Sequence, residues 1–416
     1  MKHGRKCICM IWYMLVCLIL TSCKTMGKEI DATGNNVTIN EEKEYATNWN
    51  EVVLKLKETV PNEVPKRVEV AYTDNFIIDA EISIPNELSS YTLEEVKMKR
   101  HIIEDDEKIP VLEKILDETE WCDKKELKNV TYFGPENFVA QYENGKYDEG
   151  VDLEYENKSA WVSDLGINLK NFEFANEIEI FLELYPESYS DPMKDYMYLA
   201  REPIDLDFMP LDEAKQYVEA FAASFGIEFA CETKSYVYSL ERLEEMSKLY
   251  EEHKQQYRPE FRGPVFLKEH EMYAFVLQQG YKGVPILPCQ LSKAETKAGW
   301  VNTRCYACVS ENGIEIMSLE STFDILGSTN SQAFLSVGEV LEMYCENYGS
   351  ARGVSETVTQ IGLYYLPVLT NEEAEEFTAK PIWFVYGNVE RYTDQGLSIT
   401  RRTTAYDAVT GEKLAW

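Results

Sequence analysis

The sequence predicts an α+β protein in which antiparallel sheets are each packed by a helix. Three observations predict this class. The chain is rich in aromatic residues that favour strands, with 27 Tyr and 17 Phe among 416 residues. Apolar and polar residues alternate from Phe76 to Ile84, which is the period of a half-buried strand. Amphipathic stretches with helix start and stop signals lie between the strand patterns.

Residues 49–200 are predicted to form one α+β domain. A short helix is expected from Trp49 to Lys57, and a second from about Pro110 to Trp121. Strand patterns cover four further ranges, which are 67–85, 130–155, 160–162 and 178–185.

The C-terminal half is predicted to contain one helix-plus-sheet module twice, at residues 201–330 and 331–416. Each helix ends in an aromatic residue followed by Gly, at Phe225-Gly226 and at Tyr348-Gly349. The second helix begins with a capping box, Ser336-Val-Gly-Glu339. Two unrelated α+β segments of similar appearance are the alternative to a repeat.

Strand patterns of the same kind follow each helix, and both copies end on a hairpin glycine, Gly313 or Gly411. The first copy is longer than the second. An inserted helix from Leu240 to Gln256 largely explains the difference in length.

The N-terminus has the pattern of an export signal. Three basic residues precede an uncharged apolar run from Cys7 to Leu20, which is shorter than the ~20 residues that span a bilayer. The run ends in Leu20-Thr21-Ser22-Cys23, which resembles the lipobox of bacterial lipoproteins in all four positions. The resemblance implies cleavage before Cys23 and acylation of its thiol. A transmembrane anchor stopped by Lys24 is the alternative.

Residues 1–22 are therefore predicted to be a lipoprotein signal peptide and residues 23–48 a flexible tether. The implied location is the extracytoplasmic face of the cell membrane, where two or more acyl chains such as palmitate give stable anchoring. Removal of the three basic residues of the signal leaves 38 Lys and Arg against 73 Asp and Glu, a net charge of −35. Such a surface repels phosphates, so nucleic acid is excluded as a partner.

Six cysteines follow Cys23 in the sequence, and their pairing cannot be deduced from it. Cys305 and Cys308 have the CxxC spacing of redox and metal sites, but they lie in a predicted strand, where residues three apart point to opposite faces. No second CxxC or nearby His completes a tetrahedral zinc site. Buried structural cysteines are therefore favoured over a redox or metal pair.

The predicted mature chain contains no recognisable catalytic, cofactor-binding or metal-binding motif. His270-Glu271 begins like HExxH, but Ala274 stands where the second His is required. A calcium site near Asp205 and Asp207, with Asp191 and Asp195 close by in sequence, is a weaker alternative to ordinary acidic loops. The glutamates of the inserted helix are typical of a solvated helix face. We expect neither catalytic residues nor a cofactor.

The last residues also carry a resemblance. Pro381-Ile-Trp383 is followed by a hairpin with Asp407, Ala408, Thr410, Gly411 and Glu412. This pattern is similar to the end of PepSY-type modules and of YycH/YycI-like extracytoplasmic regulators, although the first copy offers only Asn312-Gly313. The whole chain resembles uncharacterised lipoprotein families of Gram-positive type. The resemblance implies binding or regulation at the envelope and carries over no catalytic residue.

Three functions therefore stand as hypotheses. The leading one is a non-catalytic lipoprotein, anchored to the membrane at Cys23, that binds or regulates a protein or peptide partner in the envelope. The second is the substrate-binding lipoprotein of a transporter, which usually has two lobes of alternating strands and helices. The third is an envelope hydrolase that uses two carboxylates from distant parts of the sequence. Two such catalytic residues need only be close in space, so they leave no spacing pattern in the sequence.

Overall fold

The structure is a computed structural model that describes residues 45–119, 121–133, 149–178, 202–231, 233–257, 265–287, 303–329, 331–350, 353–371, 375–393 and 396–414. Its α-helices are α1 (Trp49–Glu58), α2 (Lys108–Thr119), α3 (Phe172–Ile178), α4 (Leu211–Ala223), α5 (Leu240–Tyr257) and α6 (Val337–Tyr348). None of the helices in these ranges is long and apolar enough to cross a lipid bilayer.

Two eight-stranded sheets make up most of the fold, which confirms the predicted α+β class. Sheet 1 contains β1 (Arg67–Thr73), β2 (Phe76–Ser83), β4 (Val96–Arg100), β15 (Phe323–Ser328), β17 (Val354–Asn371), β18 (Glu376–Thr393), β19 (Gly396–Asp407) and β20 (Lys413–Leu414). Sheet 2 contains β5 (Thr131–Phe133), β6 (Gly150–Tyr155), β7 (Lys158–Ser163), β8 (Gly166–Asn171), β9 (Lys234–Tyr238), β10 (Met272–Val276), β13 (Arg304–Ser310) and β14 (Gly313–Glu320). Two small hairpins remain, β3 (Thr92–Leu93) with β16 (Gln332–Ala333) and β11 (Gly280–Tyr281) with β12 (Val284–Pro285).

The two predicted C-terminal modules share one topology. In each, a helix precedes a four-stranded antiparallel meander: α4 precedes β9, β10, β13 and β14, and α6 precedes β17, β18, β19 and β20. A third segment has the same order, since α2 precedes the meander of β5, β6, β7 and β8. Helix α5 is the insertion that the lengths of the two modules predicted.

The two sheets cut across the predicted domain boundaries. Strands from residues 67–100 join the C-terminal strands in sheet 1, whereas strands from residues 131–171 join those from residues 234–320 in sheet 2. The predicted single domain at residues 49–200 is therefore divided between the sheets. The physical reason is edge pairing: β2 hydrogen bonds to β17 and β8 to β14, and the alternation within a strand does not specify its partner. Of the predicted strand at residues 178–185, Ile178 instead ends α3, and the rest lies outside the described residues.

Helices pack on both sheets, and α3 and α5 cover part of the face of sheet 2 opposite α2 and α4. Helices α1 and α6 pack on sheet 1 over a core that includes Ile78, Tyr344 and Trp383. They also pack closely against each other, because a Cβ at Gly338 would lie 2.6 Å from the backbone nitrogen of Lys57. Helices α2 and α4 share the equivalent core of sheet 2 with Phe275 and other residues.

Local signals in the sequence account for several element ends. Ser336 accepts a hydrogen bond from the Glu339 N–H, and Glu339 accepts one from the Ser336 N–H, so the predicted capping box is confirmed. In the last hairpin, Asp407 Oδ1 accepts hydrogen bonds from the N–H groups of Val409 and Thr410, and Gly411 has a φ of 74°. A carboxylate and a residue that tolerates positive φ are therefore what this turn requires.

The chain passes from sheet 2 to sheet 1 between β14 and β15. The side chain of Gln279 forms hydrogen bonds to the backbone at the start of β15. The side chain of Gln279 is buried, accepts a hydrogen bond from the Phe323 N–H (2.7 Å) and donates one to the Phe323 carbonyl (3.0 Å). It therefore substitutes for a neighbouring strand at the first residue of β15.

We expect Gln279→Leu to lower the free energy of unfolding by about 2 kcal/mol, because two buried backbone groups of Phe323 lose their partners. Chemical denaturation of the full-length protein in detergent measures the change. Gln332→Leu, at an exposed position, is the matched control and is expected to have little effect. Equal stability of the Gln279 variant and the control would contradict the assigned role.

Candidate functional site

The predicted lipidation site, Cys23, lies outside the described residues, as do the signal peptide and the tether up to residue 44, so the anchor stays a prediction. The first described residues bind to sheet 1. The Tyr45 hydroxyl donates to Asp79 (3.1 Å), and the Ala71 N–H donates to the Ala46 carbonyl (2.9 Å). The chain therefore enters the fold at the β1 edge of sheet 1.

The structure separates the two cysteines of the CxxC segment. Cys305 lies in the core beneath α2 and α4, and Cys308 lies in a cluster on the opposite face of sheet 2. Burial raises the pKa of both thiols well above the usual value. They cannot act as one redox or metal site. The free thiols of the described part are Cys122, Cys231, Cys305, Cys308 and Cys345, and Cys289 lies outside it.

The acidic residues considered for calcium have other partners. Asp205 accepts a hydrogen bond from the Leu211 N–H at the start of α4 (2.9 Å), and Asp207 forms an ion pair with Lys268 (3.0 Å). Asp191 and Asp195 lie outside the described residues. Within the described ranges, no three His, Cys, Asp or Glu side chains are arranged to hold a metal ion.

The other sequence candidates have local structural roles. His270 Nδ1 accepts a hydrogen bond from the Leu267 N–H, and a strand rather than a helix follows it, so Ala274 lies in a β-sheet. Glu241, Glu244 and Glu245 of α5 are exposed, as expected of a solvated helix face.

Sequence analysis did not predict a buried ionic group between α6 and sheet 1, which we call the Glu356 cluster. It comprises Glu356, Arg402, Tyr344, Tyr348 and Lys413. The Glu356 side chain is 1 % exposed, forms an ion pair with Arg402 and accepts a hydrogen bond from the Tyr344 hydroxyl (2.5 Å). The Arg402 guanidinium lies 4.2 Å from the Tyr348 ring centroid, and Lys413 donates to the Tyr348 hydroxyl.

Gly387 of β18 makes room for the cluster. A Cβ at this position would lie 2.9 Å from Glu356 Oε1 and 3.3 Å from the Tyr344 hydroxyl. Because Gly387 lies directly opposite Arg402 on β19 and Val358 on β17, the ion pair passes over its backbone. A larger residue would crowd the Glu356 carboxylate and the Tyr344 hydroxyl.

The cluster perturbs the titration of its members. Burial raises the pKa of Glu356, and the Tyr344 and Arg402 interactions offset this effect only in part. Burial also raises the pKa of Tyr348, but the hydrogen bonds and charges of Lys413, Thr404 and Arg402 outweigh it, so the net pKa is lowered. Because Tyr344 and Tyr348 belong to α6, the interactions of the Glu356 cluster connect this helix to strands β17, β19 and β20.

A second group that sequence analysis missed crosses the face of sheet 2 opposite α2 and α4, and we call it the polar row. Cross-strand pairing places Asp152, Trp161, Asn168, Ser318 and Tyr306 side by side on β6, β7, β8, β14 and β13. Neighbouring strands lie ~4.8 Å apart, so Trp161 and Tyr306 are separated by roughly 14 Å.

The polar row is half-buried except for Ser318, which is 1 % exposed. Ser159 donates to Asp152 (3.1 Å), and Asn168 donates to Glu320. Burial raises the pKa of Asp152, which stays a hydrogen-bond acceptor for Ser159. Ser318 Oγ is buried without any hydrogen-bond partner. In the sequence, Val151, Leu153, Val162 and Ile167 alternate with polar residues of the row. Only the strand pairing shows that these polar residues lie side by side.

A third feature is the outer edge of sheet 1 at β15. Among the described strands, β15 pairs with β4 and with no other. The register shifts between Ile325 and Gly327, so two consecutive apolar side chains, Ile325 and Leu326, are exposed by 40 % and 53 %. Lys97, the cross-strand neighbour of Gly327, is also exposed. We call Ile325, Leu326 and Lys97 the edge patch.

Comparison with known proteins adds information on the fold. No protein-family model and no curated protein matches the chain. Among solved structures, it is similar to an uncharacterized protein from Eubacterium rectale ATCC 33656, with 18 % identity and a TM-score of 0.66. The match covers 89 % of this chain and 99 % of the other. At this identity the similarity shows the α+β fold alone.

The raised pKa of Glu356 leads to a pH-dependent prediction. The folded protein holds this proton more tightly than the unfolded chain, whose carboxyl has an ordinary pKa near 4.5. The contribution of Glu356 to stability is therefore fully present below that value and is lost as pH rises through the folded-state pKa. As pH rises from the unfolded-state pKa to the folded-state pKa of Glu356, we expect the free energy of unfolding of the wild type to fall relative to that of Glu356→Gln.

Denaturation curves at several pH values measure this difference. Glu346→Gln, on the exposed side of α6, is the matched control and should follow the wild type at every pH. Parallel curves for the wild type and Glu356→Gln would show that the carboxyl has no raised pKa in the fold.

Proposed function

We propose that the protein is an extracytoplasmic lipoprotein, anchored through Cys23, that binds or regulates an envelope protein without catalysis. The lipobox-like segment at residues 20–23 supports the location. The PepSY-like and YycH/YycI-like pattern of the last hairpin supports a regulatory role at the envelope.

The edge patch is the observation that carries the binding part of the proposal. Exposed apolar residues on the outer strand of a sheet are typical of protein contacts, because solvated edges are otherwise protected by charge or covered. Lys97 has no carboxylate within 4 Å among the described residues, in a chain with a formal charge of −32. The partner segment that fits has apolar side chains for Ile325 and Leu326 and a carboxylate for Lys97.

The fold disfavours the second hypothesis. Substrate-binding lipoproteins usually alternate strands and helices around parallel sheets, whereas most strand pairs of both sheets are antiparallel, with β2 and β17 a parallel exception.

The anchor is tested with Cys23→Ala in cells. We expect this variant to leave the membrane fraction and to lose activity, because the acylated thiol is the proposed attachment. Fractionation with detection of the bound lipid measures the first effect. A Cys23→Ala protein that stays in the membrane and remains functional would contradict the proposal.

The edge patch is tested with Leu326→Asp in the membrane-anchored protein. The measurement is the amount of envelope partner that is recovered after crosslinking. A carboxylate in an apolar contact should reduce this amount by roughly tenfold, since an unpaired charge would be buried in the interface. Leu54→Asp, at a leucine of α1 that is 57 % exposed, is the matched control and should retain the partner. Equal loss in both variants, or loss in neither, would show that the edge patch is not the contact.

A further inference from the structure

The outer edge of β15 presents backbone groups that point away from its partner strand β4. In an antiparallel pair, residues that are hydrogen-bonded to the partner strand alternate with residues whose N–H and C=O groups point the other way. The His101 N–H donates to the Thr322 carbonyl (2.9 Å), so Thr322 and the second residue after it face β4. The N–H and C=O groups of Phe323 and Ile325 therefore point away from β4.

At Phe323 these outward groups already have a partner. The side chain of Gln279 is hydrogen-bonded to both of them, at 2.7 and 3.0 Å, which are the two bonds that a neighbouring antiparallel strand would make. At Ile325 the situation differs, because β4 is the single described strand that pairs with β15 and residues 325–328 are exposed. Ile325 therefore offers the same pair of bonds to a segment from another molecule.

The register shift in β15 limits the length of such a segment. The Thr329 N–H donates to the Glu95 carbonyl, so Ser328 is the next residue whose backbone groups point outward. Ser328 follows Ile325 by three positions, whereas outward residues of a regular strand are two apart. A regular added strand can exchange both hydrogen bonds with Ile325 but is out of register at Ser328. The edge therefore suits a short segment better than a long strand.

The side chains beside this edge define the chemistry of the segment. Met98 of β4 is buried and Lys97 is exposed, so the two lie on opposite faces of sheet 1. Ile325 lies opposite Met98, and Gly327 lies opposite Lys97. A Cβ at Gly327 would have no heavy atom within 4 Å, so the Lys97 side chain has room to extend over this glycine. An added strand would lie roughly 10 Å from β4, a gap that a lysine and a glutamate side chain span together.

We propose that β15 binds a short, extended peptide segment of the envelope partner by antiparallel strand addition at Ile325. The inference rests on the proposed function, because the segment is taken to belong to that partner. Strand addition obtains affinity from main-chain hydrogen bonds and specificity from alternate side chains. Here the residue opposite Ile325 is apolar, and a neighbouring residue on the other face carries a carboxylate for Lys97. A second copy of the chain fits less well, because each copy has a formal charge of −32.

The first test uses a dye-labelled peptide of five residues in which valine alternates with glutamate, with valine at both ends. Fluorescence anisotropy with the full-length protein in detergent measures its binding, and we expect a Kd of about 1 mM or tighter. The matched peptide with lysine in place of glutamate should bind roughly tenfold more weakly at physiological salt, where the net charge of the chain is screened and Lys97 acts locally. Lys97→Glu is expected to reverse this preference.

Methylation of the peptide nitrogens tests the hydrogen bonds. Cross-strand neighbours share a face, so the valine opposite Ile325 exchanges both bonds with it, whereas the glutamate N–H groups point to solvent. Methylation of the valine nitrogens should weaken binding by roughly tenfold. Methylation of the glutamate nitrogens is the matched control and should have little effect. Equal effects of the two changes, or a larger effect at glutamate, would overturn the proposal.

Ile325→Pro removes the outward N–H from the protein itself. Proline is tolerated on edge strands where the N–H faces solvent, so the melting temperature should stay close to that of the wild type while the peptide binds roughly tenfold more weakly. Ile325→Thr keeps the N–H and should retain most of the affinity. Wild-type binding by Ile325→Pro, or no binding of the glutamate peptide to the wild type, overturns the proposal. If Ile325→Pro does not fold, the methylated peptides decide the question.

Failure of this inference is distinguishable from failure of the proposed function. If Leu326→Asp loses the crosslinked partner but methylation of the valine nitrogens has no effect, the partner contact stands and strand addition is rejected. If the peptides bind as expected but the edge patch captures no partner, strand addition stands and the envelope partner is rejected. A dimer of the wild type that Ile325→Pro dissociates would assign the edge to a second copy and overturn the proposal.

Discussion

The pairing of β2 with β17 is the constraint on which the rest of the structure depends. These strands run in parallel and join residues 76–83 to residues 356–362, so sheet 1 requires two segments far apart in the sequence to meet. The entropy of closing such a long loop must be offset by burial after the contact has formed. Helices α1 and α6, which precede β1 and β17 in the sequence, provide that burial by packing on the sheet and on each other.

The Glu356 cluster lies at this joint. Glu356 is paired with Phe76 of β2, and its N–H donates to the Asn75 carbonyl, so the residue that holds the buried carboxylate also takes part in the long-range pairing. A chain of aromatic contacts from Trp49 through Tyr72, Phe76 and Tyr344 to Tyr348 connects α1 with α6 across the same region. The Glu356 carboxylate is thus buried where hydrogen bonds and aromatic contacts already hold the neighbouring side chains in position.

The edge patch and the polar row lie on different sheets. The edge patch belongs to sheet 1, which also binds Tyr45 and Ala46, the first described residues. The polar row belongs to sheet 2. Where the chain passes between the sheets, the side chain of Gln279 forms hydrogen bonds to the backbone of Phe323. The edge patch therefore lies on the sheet that binds the first described residues, and the polar row lies on the other sheet.

The sequence by itself determined features that depend on neighbouring residues. Alternation located the strand at Phe76–Ser83, Ser336 and Glu339 located the start of α6, and Asp407 with Gly411 located the last turn, because side chains and backbone groups a few residues apart fix these structures. The tertiary structure alone decided that residues 67–100 pair with the C-terminal strands, that Glu356 lies beside Arg402, and that Trp161, Asn168, Ser318 and Tyr306 share one row. Each of these depends on which strand edges meet, and edge pairing is set by competition among many similar strands rather than by local periodicity.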